Sequence, residues 1–269
     1  MATAFDRRRI PAPEVSIPPI YDDAELEPEA GPSTKRVDRS NDEARPIFLK
    51  TGLISQANGS GYIESGGVKI ACSVYGPRPK APPYTPQGTL NLEVKFAPFA
   101  SDPRRAPLRD TEPISLSQLL SQSLIPTIQL HLLPKSSIDV YLLVLETDTP
   151  TNVLSAGLTV ASAAIADAGI AMYALGTGSV VALAQSTDKQ ELLLDPEQGE
   201  EGGTEGKVLL GSMPALGKIT NILLEGSVGV EQAVEMIEKA ISASRDTHTV
   251  LAQSLIEGAQ ERGMGGEAE

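Results

Sequence analysis

Hydrophobic and polar residues alternate along several short segments of the chain, and this period of two predicts β-strands. The clearest alternation covers residues 89–96, for which we predict a half-buried, antiparallel strand. In residues 51–75, three apolar runs are separated by Asn58-Gly59 and Gly66-Gly67, dipeptides that adopt positive φ at little cost. We therefore predict three strands with hairpin turns there, and Gly76-Pro77 is predicted to end the third strand.

Three other segments repeat their apolar residues with the helical period. Residues 115–128, 152–168 and 230–255 are therefore predicted as helices. The second is rich in alanine, which indicates close packing against a sheet; Asn152 is predicted as its N-cap and Gly169 as the residue after its C-terminus. The core face of the third helix is predicted to consist of Val234, Ile237, Ile241, Leu251 and Leu255.

The order of these elements indicates the fold class. Residues 138–145 are apolar at nearly every position, which favours a central strand buried on both faces. Residues 172–185 and 207–225 supply further strands. Strands, helix, strand, helix, strands and helix in succession predict one α/β domain, with helices packed on a mixed sheet of the α+β kind.

Composition divides the chain into a domain and two tails. Residues 1–43 combine proline with charged residues and lack a periodic pattern, so we predict a disordered, acidic and Pro-rich tail. Residues 44–260 are predicted to form the domain, within which 195–206 form a mobile acidic loop. Residues 261–269 are predicted to be a disordered C-terminal tail.

The charge of the chain narrows its possible partners. A formal net charge of −13 makes the whole surface a poor general binder of nucleic acid. Residues 76–109, however, carry six basic residues against two acidic ones. This local excess of positive charge predicts a basic patch on an acidic body.

Several chemistries are excluded by residue content. Cys72 is the single cysteine and lies in an apolar run, which favours a buried, unreactive thiol in a reducing compartment. With His131 and His248 as the two histidines, no metal cluster is expected, and no cofactor is predicted. The stretch Gly176-Thr177-Gly178-Ser179 is more typical of a loop or bulge than of a phosphate cradle.

Five segments, in order, resemble the RNase PH family over residues 45–257. They are Arg45-Pro46 with residues 52–60; residues 64–70 with Tyr75-Gly76-Pro77-Arg78; residues 138–148; residues 163–172; and Leu194-Asp195-Pro196 with residues 213–219. Residues 96–105 look most like one ring subunit of the eukaryotic RNA exosome.

The resemblance implies a ribosomal protein S5 domain 2-like fold with the β-α-β-α arrangement of RNase PH. It also implies a hexameric ring in which this chain pairs with other RNase PH-like subunits, carries S1/KH-type cap subunits and passes single-stranded RNA through its centre. The implied location is the nucleus, nucleolus and cytoplasm. No membrane partner is expected, since no apolar stretch is long enough to span a bilayer.

The family's phosphate-binding loop is degenerate in this sequence. Active members follow a strand-ending Asp with Gly, Thr, Ser or Arg residues, whose amides at a helix N-terminus hold phosphate. The corresponding residues here are Asp148, Thr149, Pro150, Thr151 and Asn152. They offer no glycine and no arginine, and proline has no N–H. Asp195 matches the family's first acid, whereas the second falls near Val208, so the sequence predicts a non-catalytic member.

Four arginines are the candidate RNA-binding residues: Arg78, Arg104, Arg105 and Arg109. The family resemblance places this region near the RNA path, where they would contact phosphates without reading bases. A solvated loop or a contact between subunits explains the same residues equally well.

Two other functions remain open at the level of sequence. The chain could be an active phosphorolytic 3′–5′ exoribonuclease that uses a neighbour's phosphate loop at a shared interface. It could also be an unrelated S5-like enzyme such as a small-molecule kinase, although Ser155-Ala156-Gly157-Leu158 lies within a helical pattern and lacks the glycine run of a kinase phosphate loop.

Overall fold

The computed structural model describes residues 36, 39–100, 104, 114–185 and 190–263. Within them the chain forms nine strands and four α-helices. The strands are β1 (Ile47–Thr51), β2 (Gly59–Ser65), β3 (Val68–Pro79), β4 (Thr89–Phe96), β5 (Ser136–Glu146), β6 (Thr177–Gln185), β7 (Gln190–Leu194), β8 (Thr204–Met213) and β9 (Lys218–Gly226). The helices are α1 (Ile114–Leu124), α2 (Pro150–Asp167), α3 (Gln198–Glu201) and α4 (Val230–Glu261).

The strands form two sheets, which confirms the mixed α/β class. The five-stranded sheet has the order β1-β2-β3-β5-β4, and the four-stranded sheet has the order β7-β6-β8-β9. All neighbours are antiparallel except β4 and β5, which are parallel. The antiparallel prediction for β4 is therefore wrong. The α1 segment carries the chain back across the sheet, so β5 starts from the same end as β4.

The turn between β2 and β3 follows the sequence prediction. Ser65 pairs with Val68, which leaves Gly66-Gly67 as a two-residue turn, and Gly66 has a φ of +53°. The other glycine dipeptide does not form such a turn, because β1 ends at Thr51 and the Asn58 side chain instead accepts a hydrogen bond from Gly76 N at 3.0 Å. β1 and β2 nevertheless pair antiparallel, with Thr51 opposite Gly61, so this hairpin is confirmed. Its connection covers residues 52–58, so only the predicted place of the turn is wrong.

Two strand predictions are corrected by the pairing of β3 with β5. β3 continues through Gly76-Pro77 to Pro79 across an irregularity between Tyr75 and Arg78, so it does not end at Gly76-Pro77. β5 is an interior strand, but its two faces differ: Val140 and Val144 are buried, whereas Leu143 is 42% exposed. The face of this sheet that carries Leu143 is therefore exposed to solvent at β5.

Helix α2 lies between the two sheets, where it contacts β2 and β3 on one side and β6 and β8 on the other. Its N-cap is Thr149, whose hydroxyl accepts from Asn152 N at 3.2 Å, so the prediction of Asn152 as N-cap is wrong. Pro150 occupies the first turn, where a missing N–H costs little. Gly169 has a φ of +70° after the C-cap, as predicted.

Helix α4 covers β6, β8 and β1 with a face of small residues. Its buried residues are Met236, Ala240, Ala243, Ser244, Thr247, Leu251 and Ser254. Val234 is 50% exposed, so its predicted place in the core is wrong, whereas Leu251 is buried as predicted. Small side chains let the helix axis approach the sheet, which turns the larger apolar residues toward the edges of the contact.

The segment before β1 and the acidic segment after β7 contact each other. Arg36 and Arg39 precede the predicted domain start at residue 44, yet their side chains reach Glu200 and the backbone of residues 194–195. Helix α3 forms within residues 195–206 and carries a capping box between Glu197 and Glu200. The mobility of this acidic segment stays a prediction. Of the tails predicted at 1–43 and 261–269, residues 1–35, 37–38 and 264–269 lie outside the described residues.

A close approach between β6 and α2 gives a test of this packing. A Cβ added at Gly178 would lie 2.5 Å from Ser155 Cα, so backbone must move. We expect Gly178→Ala to lower the free energy of unfolding by about 1–3 kcal/mol, measured by urea denaturation. Gly199→Ala, which meets nothing within 4 Å, should change it by less than about 0.5 kcal/mol; equal effects at both positions would contradict the packing.

Candidate functional site

The candidate site lies where β5 leads into α2. Asp148 follows β5, and its Oδ1 accepts a short hydrogen bond from the N–H of Thr149. Its Oδ2 accepts from Arg45 Nη1 at 2.6 Å and from Asn152 Nδ2 at 3.0 Å. Asp148 therefore holds Thr149, the N-cap of the helix, and also forms an ion pair with Arg45.

The amide groups at the start of α2 are largely used by the chain itself. The N–H of Thr149 donates to Asp148, that of Asn152 donates to the Thr149 hydroxyl, and that of Val153 donates to the Thr149 carbonyl at 3.1 Å. Pro150 has no N–H to offer. Thr149, Thr151 and Asn152 are each at most 5% exposed. An incoming anion would therefore find few donors and little access at this helix N-terminus.

Arg45 connects this helix start to the end of β7. Its Nε and Nη2 donate to the two carboxylate oxygens of Asp195 at 2.8 and 2.7 Å, and its Nη1 donates to Asp148. The residue is 5% exposed. Burial alone would lower the pKa of Arg45, but hydrogen bonds and charge from Asp195 and Asp148 outweigh burial and raise that pKa above its ordinary value. The guanidinium is thus a permanent cation held between two carboxylates.

Asp195 is fixed by contacts on its backbone as well as its side chain. Its φ is +53°, a left-handed conformation that is uncommon outside glycine. Its carbonyl accepts from Arg39 Nη2 at 2.6 Å, and Arg45 N donates to its carboxylate at 3.2 Å. Val208, near which the sequence resemblance places the family's second acid, is fully buried in β8 against α4. The two positions therefore hold a paired carboxylate and an apolar core residue.

A small cavity lies beside Asn152, with Arg45 and Asp195 in its lining. Its volume is about 40 Å³, far below the roughly 300 Å³ at which ligand pockets begin, and it has room for a few water molecules. The Oδ1 atom of Asn152 is buried without a hydrogen-bond partner among the described residues. Water in this cavity would supply the missing donor.

The candidate RNA-binding arginines are only partly covered by the structure. Arg78 is exposed at the end of β3, with its guanidinium carbon 5.0 Å from the centre of the Tyr75 ring. Tyr75 in turn meets Tyr141 edge to face at 5.9 Å. Arg104 is also exposed. Arg105 and Arg109 lie outside the described residues, so their place relative to Arg78 stays a prediction.

The cysteine and one of the two histidines have surroundings that do not suit catalysis or metal binding. Cys72 is fully buried, and burial raises the pKa of its thiol well above the usual value. His131 stacks on Tyr173, whose hydroxyl lies 3.3 Å from Nδ1. In the part of the chain that is described, no cluster of His, Cys, Asp and Glu suits a metal ion. The helices described also include none with the length and apolar character to cross a membrane.

Sequence reasoning misses the role of the arginines that precede β1. Arg45 stands out as part of an Arg-Pro motif, but Arg36 and Arg39 fall within the predicted tail. Their partners are more than 150 positions away along the chain. No local periodicity signals such a contact; the one sign in the sequence is the coincidence of three arginines here with four acidic residues in 195–201.

Comparison with known proteins identifies the family. Residues 43–171 match the model of the 3′ exoribonuclease family, domain 1, known as RNase PH. The exosome complex component mtr3 of Schizosaccharomyces pombe is 38% identical over 254 residues, which cover 93% of this chain and 96% of that protein. The chain belongs to the RNase PH family. The likeness of the five sequence segments to that family is thereby confirmed.

Other members of the RNase PH family show similar likeness. Human exosome complex component MTR3 is 34% identical over 96% of this chain and 97% of its own length. Rrp41 of Pyrococcus horikoshii is 35% identical over 83% of this chain and 89% of its own length. Two solved structures share the fold at low sequence identity. Rice Rrp46 is 20% identical, with a TM-score of 0.68 over 81% of this chain and 98% of its own. A chain of the Archaeoglobus fulgidus exosome with RNA bound to the active site is 18% identical, with a TM-score of 0.67 over 79% of this chain and 91% of its own.

The pairing of Arg45 predicts a large loss of stability when the cation is removed. Arg45→Met would leave Asp148 and Asp195 close together and poorly hydrated, and we expect about 3–5 kcal/mol lower free energy of unfolding by urea denaturation. The control is Lys50→Met, which removes an exposed pair with Glu261 and should cost less than about 1 kcal/mol. Similar small losses for both variants would show that the Arg45 pairs contribute little.

Proposed function

We propose that this chain is a non-catalytic structural subunit of the RNA exosome core ring, which supports 3′–5′ RNA processing and degradation by helping to form the channel through which RNA passes. One observation carries the proposal: Arg45 lies between Asp148 and Asp195 at the start of α2, where an active family member would hold phosphate. The chain would thus be a member of the ring without carrying out phosphorolysis itself.

Ring membership is supported by the named relatives. The S. pombe and human proteins are components of the exosome complex, and each aligns with more than nine-tenths of this chain. The corresponding partners of this chain are other RNase PH-like ring subunits, S1/KH-type cap subunits and single-stranded RNA, in the nucleus, nucleolus and cytoplasm. Such a subunit needs neither a cofactor nor a metal ion of its own.

The lack of catalysis is supported by the chemistry of the α2 N-terminus. Phosphorolysis requires preorganised donors for phosphate, and loss of a single such donor in an enzyme typically reduces the rate about 10²–10³-fold. Here Pro150 lacks an N–H, and the amides of Thr149, Asn152 and Val153 already have partners.

A role in guiding RNA is supported by the residues around Arg78. The Tyr75 ring lies beside its guanidinium, and Tyr141 lies edge to face with Tyr75. This combination suits stacked bases and phosphates of a single strand. Arg104, Arg105 and Arg109 would extend the positive charge along the path. Such contacts hold the RNA backbone and do not select a sequence.

Assembly with a related chain is supported by the edge of the four-stranded sheet. β9 is an edge strand, and its Ile219, Ile222 and Leu224 are each more than 40% exposed. An edge strand with apolar side chains is prone to pair with another chain. We propose that a homologous ring subunit covers it.

The absence of catalysis is tested by phosphorolysis. The purified ring, assembled with the chain or with its Thr151→Val variant, is incubated with single-stranded RNA and orthophosphate, and nucleoside diphosphates are measured. We expect the chain alone to release none above background. Any release by the ring should be the same with either form. A rate that falls at least tenfold with Thr151→Val would assign phosphorolysis to this chain.

The RNA-guiding role is tested by charge reversal in the assembled ring. Arg104→Glu with Arg105→Glu should shorten the RNA segment protected from nuclease and weaken binding several-fold at 50 mM salt, because phosphate contacts are lost. The control is Arg245→Glu, a single exposed charge reversal on α4, which should leave protection unchanged. Equal protection by the double variant and the unaltered ring would remove the assignment.

A further inference from the structure

Three arginines before β1 converge on two carboxylates after β7. Arg36 places Nε 2.8 Å and Nη2 3.1 Å from the two oxygens of Glu200. Arg45 holds both oxygens of Asp195 in the same forked manner. Arg39 lies between them, with Nη2 3.6 Å from Glu200 and Nη1 3.9 Å from Asp195. We refer to Arg36, Arg39 and Arg45 as the arginine cluster.

The arginine cluster is shielded from water. The side chains of Arg36, Arg39 and Arg45 are 2%, 11% and 4% exposed. Buried guanidinium groups are tolerated only when anions neutralise them, because removal from water is otherwise costly. The carboxylates of Asp195 and Glu200, at 19% and 11% exposure, provide most of that neutralisation. Asp148 beside Arg45 and Glu197 beside Arg39 add to it.

Arg39 keeps one donor atom without a hydrogen-bond acceptor, although carboxylates of Asp195, Glu197 and Glu200 lie within 4 Å of its guanidinium. Its Nη1 atom is buried without a hydrogen-bond partner among the described residues. Burial, followed by repulsion from Arg36, lowers the pKa of Arg39, and the attraction of Asp195 and Glu200 only partly offsets this. A buried guanidinium N–H that lacks an acceptor favours an anion that presents more oxygens than a carboxylate does.

We propose that Asp195 and Glu200 are built-in anionic ligands of a three-arginine oxyanion site, which accepts phosphate or sulfate once either carboxylate is neutralised. A guanidinium fork binds carboxylate and phosphate oxygens with the same geometry. A tetrahedral oxyanion at Glu200 would meet the fork of Arg36 and supply an acceptor to Arg39. This inference concerns the region before β1 and holds whether or not the chain lacks catalysis.

Tethering explains why the intact chain keeps free anions out. Asp195 and Glu200 belong to the same chain as the arginines, so their effective concentration exceeds that of millimolar phosphate. The capping box, in which Glu197 N donates to Glu200 Oε2 at 2.9 Å, further fixes the Glu200 carboxylate. The internal ligands therefore hold residues 36–45 against residues 194–201.

The test compares anions at matched ionic strength. In chloride, Glu200→Gln should lower the melting temperature by about 5 °C or more, since one partner of a buried pair is removed. Replacing chloride by 20 mM phosphate or sulfate should restore most of that loss. The unaltered chain should respond little to the same exchange. Adding Arg39→Leu to Glu200→Gln should abolish the recovery, because the anion loses the buried, unpaired donor that favours it over a carboxylate.

The matched control is the neighbouring residue. Glu201→Gln removes a carboxylate that pairs with the single ammonium of Lys207 and lies outside the arginine cluster. Its melting temperature should fall without specific recovery in phosphate, which also corrects for general stabilisation by phosphate and sulfate salts.

Three results would overturn the proposal: no recovery of Glu200→Gln when phosphate or sulfate replaces chloride, equal recovery of Glu201→Gln, or no folded Glu200→Gln in any anion. Asp195→Asn provides a second variant with the same expected recovery. Titration of phosphate into folded Glu200→Gln, followed by calorimetry, should give one site per chain.

Discussion

The buried guanidinium of Arg45 is the constraint on which the rest of the structure depends. A group that cannot give up its charge must be matched where it is buried, and it is matched by Asp148 and Asp195. These three residues lie just before β1, just before α2 and just after β7. The pairing therefore ties the start of the helix that lies between the two sheets to the segments before β1 and after β7.

The parts of the fold that sequence predicted are those set by local patterns. The alternation in residues 89–96 predicted β4 residue for residue, since burial of one face of a strand leaves a period of two. Its parallel partner was not predicted, because strand direction follows from the path of the intervening helix. Likewise, Gly66-Gly67 predicted a turn through local φ preferences, whereas Asn58 serves a contact with Gly76, distant in sequence.

The candidate site was predicted through resemblance to the family, and its role stays a prediction. Asp148 to Asn152 lie at the expected helix start, and Asp195 and Val208 lie in the expected strands or their ends. Resemblance could not reveal what replaces phosphate. Arg36 and Arg39 act through ion pairs across more than 150 residues, and a pairing of that kind has no period or spacing in the sequence. The exposure of Val234 was also not predictable from helical periodicity, because small residues form most of the buried face of α4.

The central claim is that the anion site of the RNase PH fold is occupied here by the chain's own side chains. The most direct measurement is a crystal structure of the chain, paired with its ring neighbour, grown in orthophosphate. The account predicts that Arg45 still bridges Asp148 and Asp195 and that no phosphate lies at the amides of residues 149–152. Phosphate bound at those amides, with Arg45 turned away from Asp195 to hold it, would contradict the account.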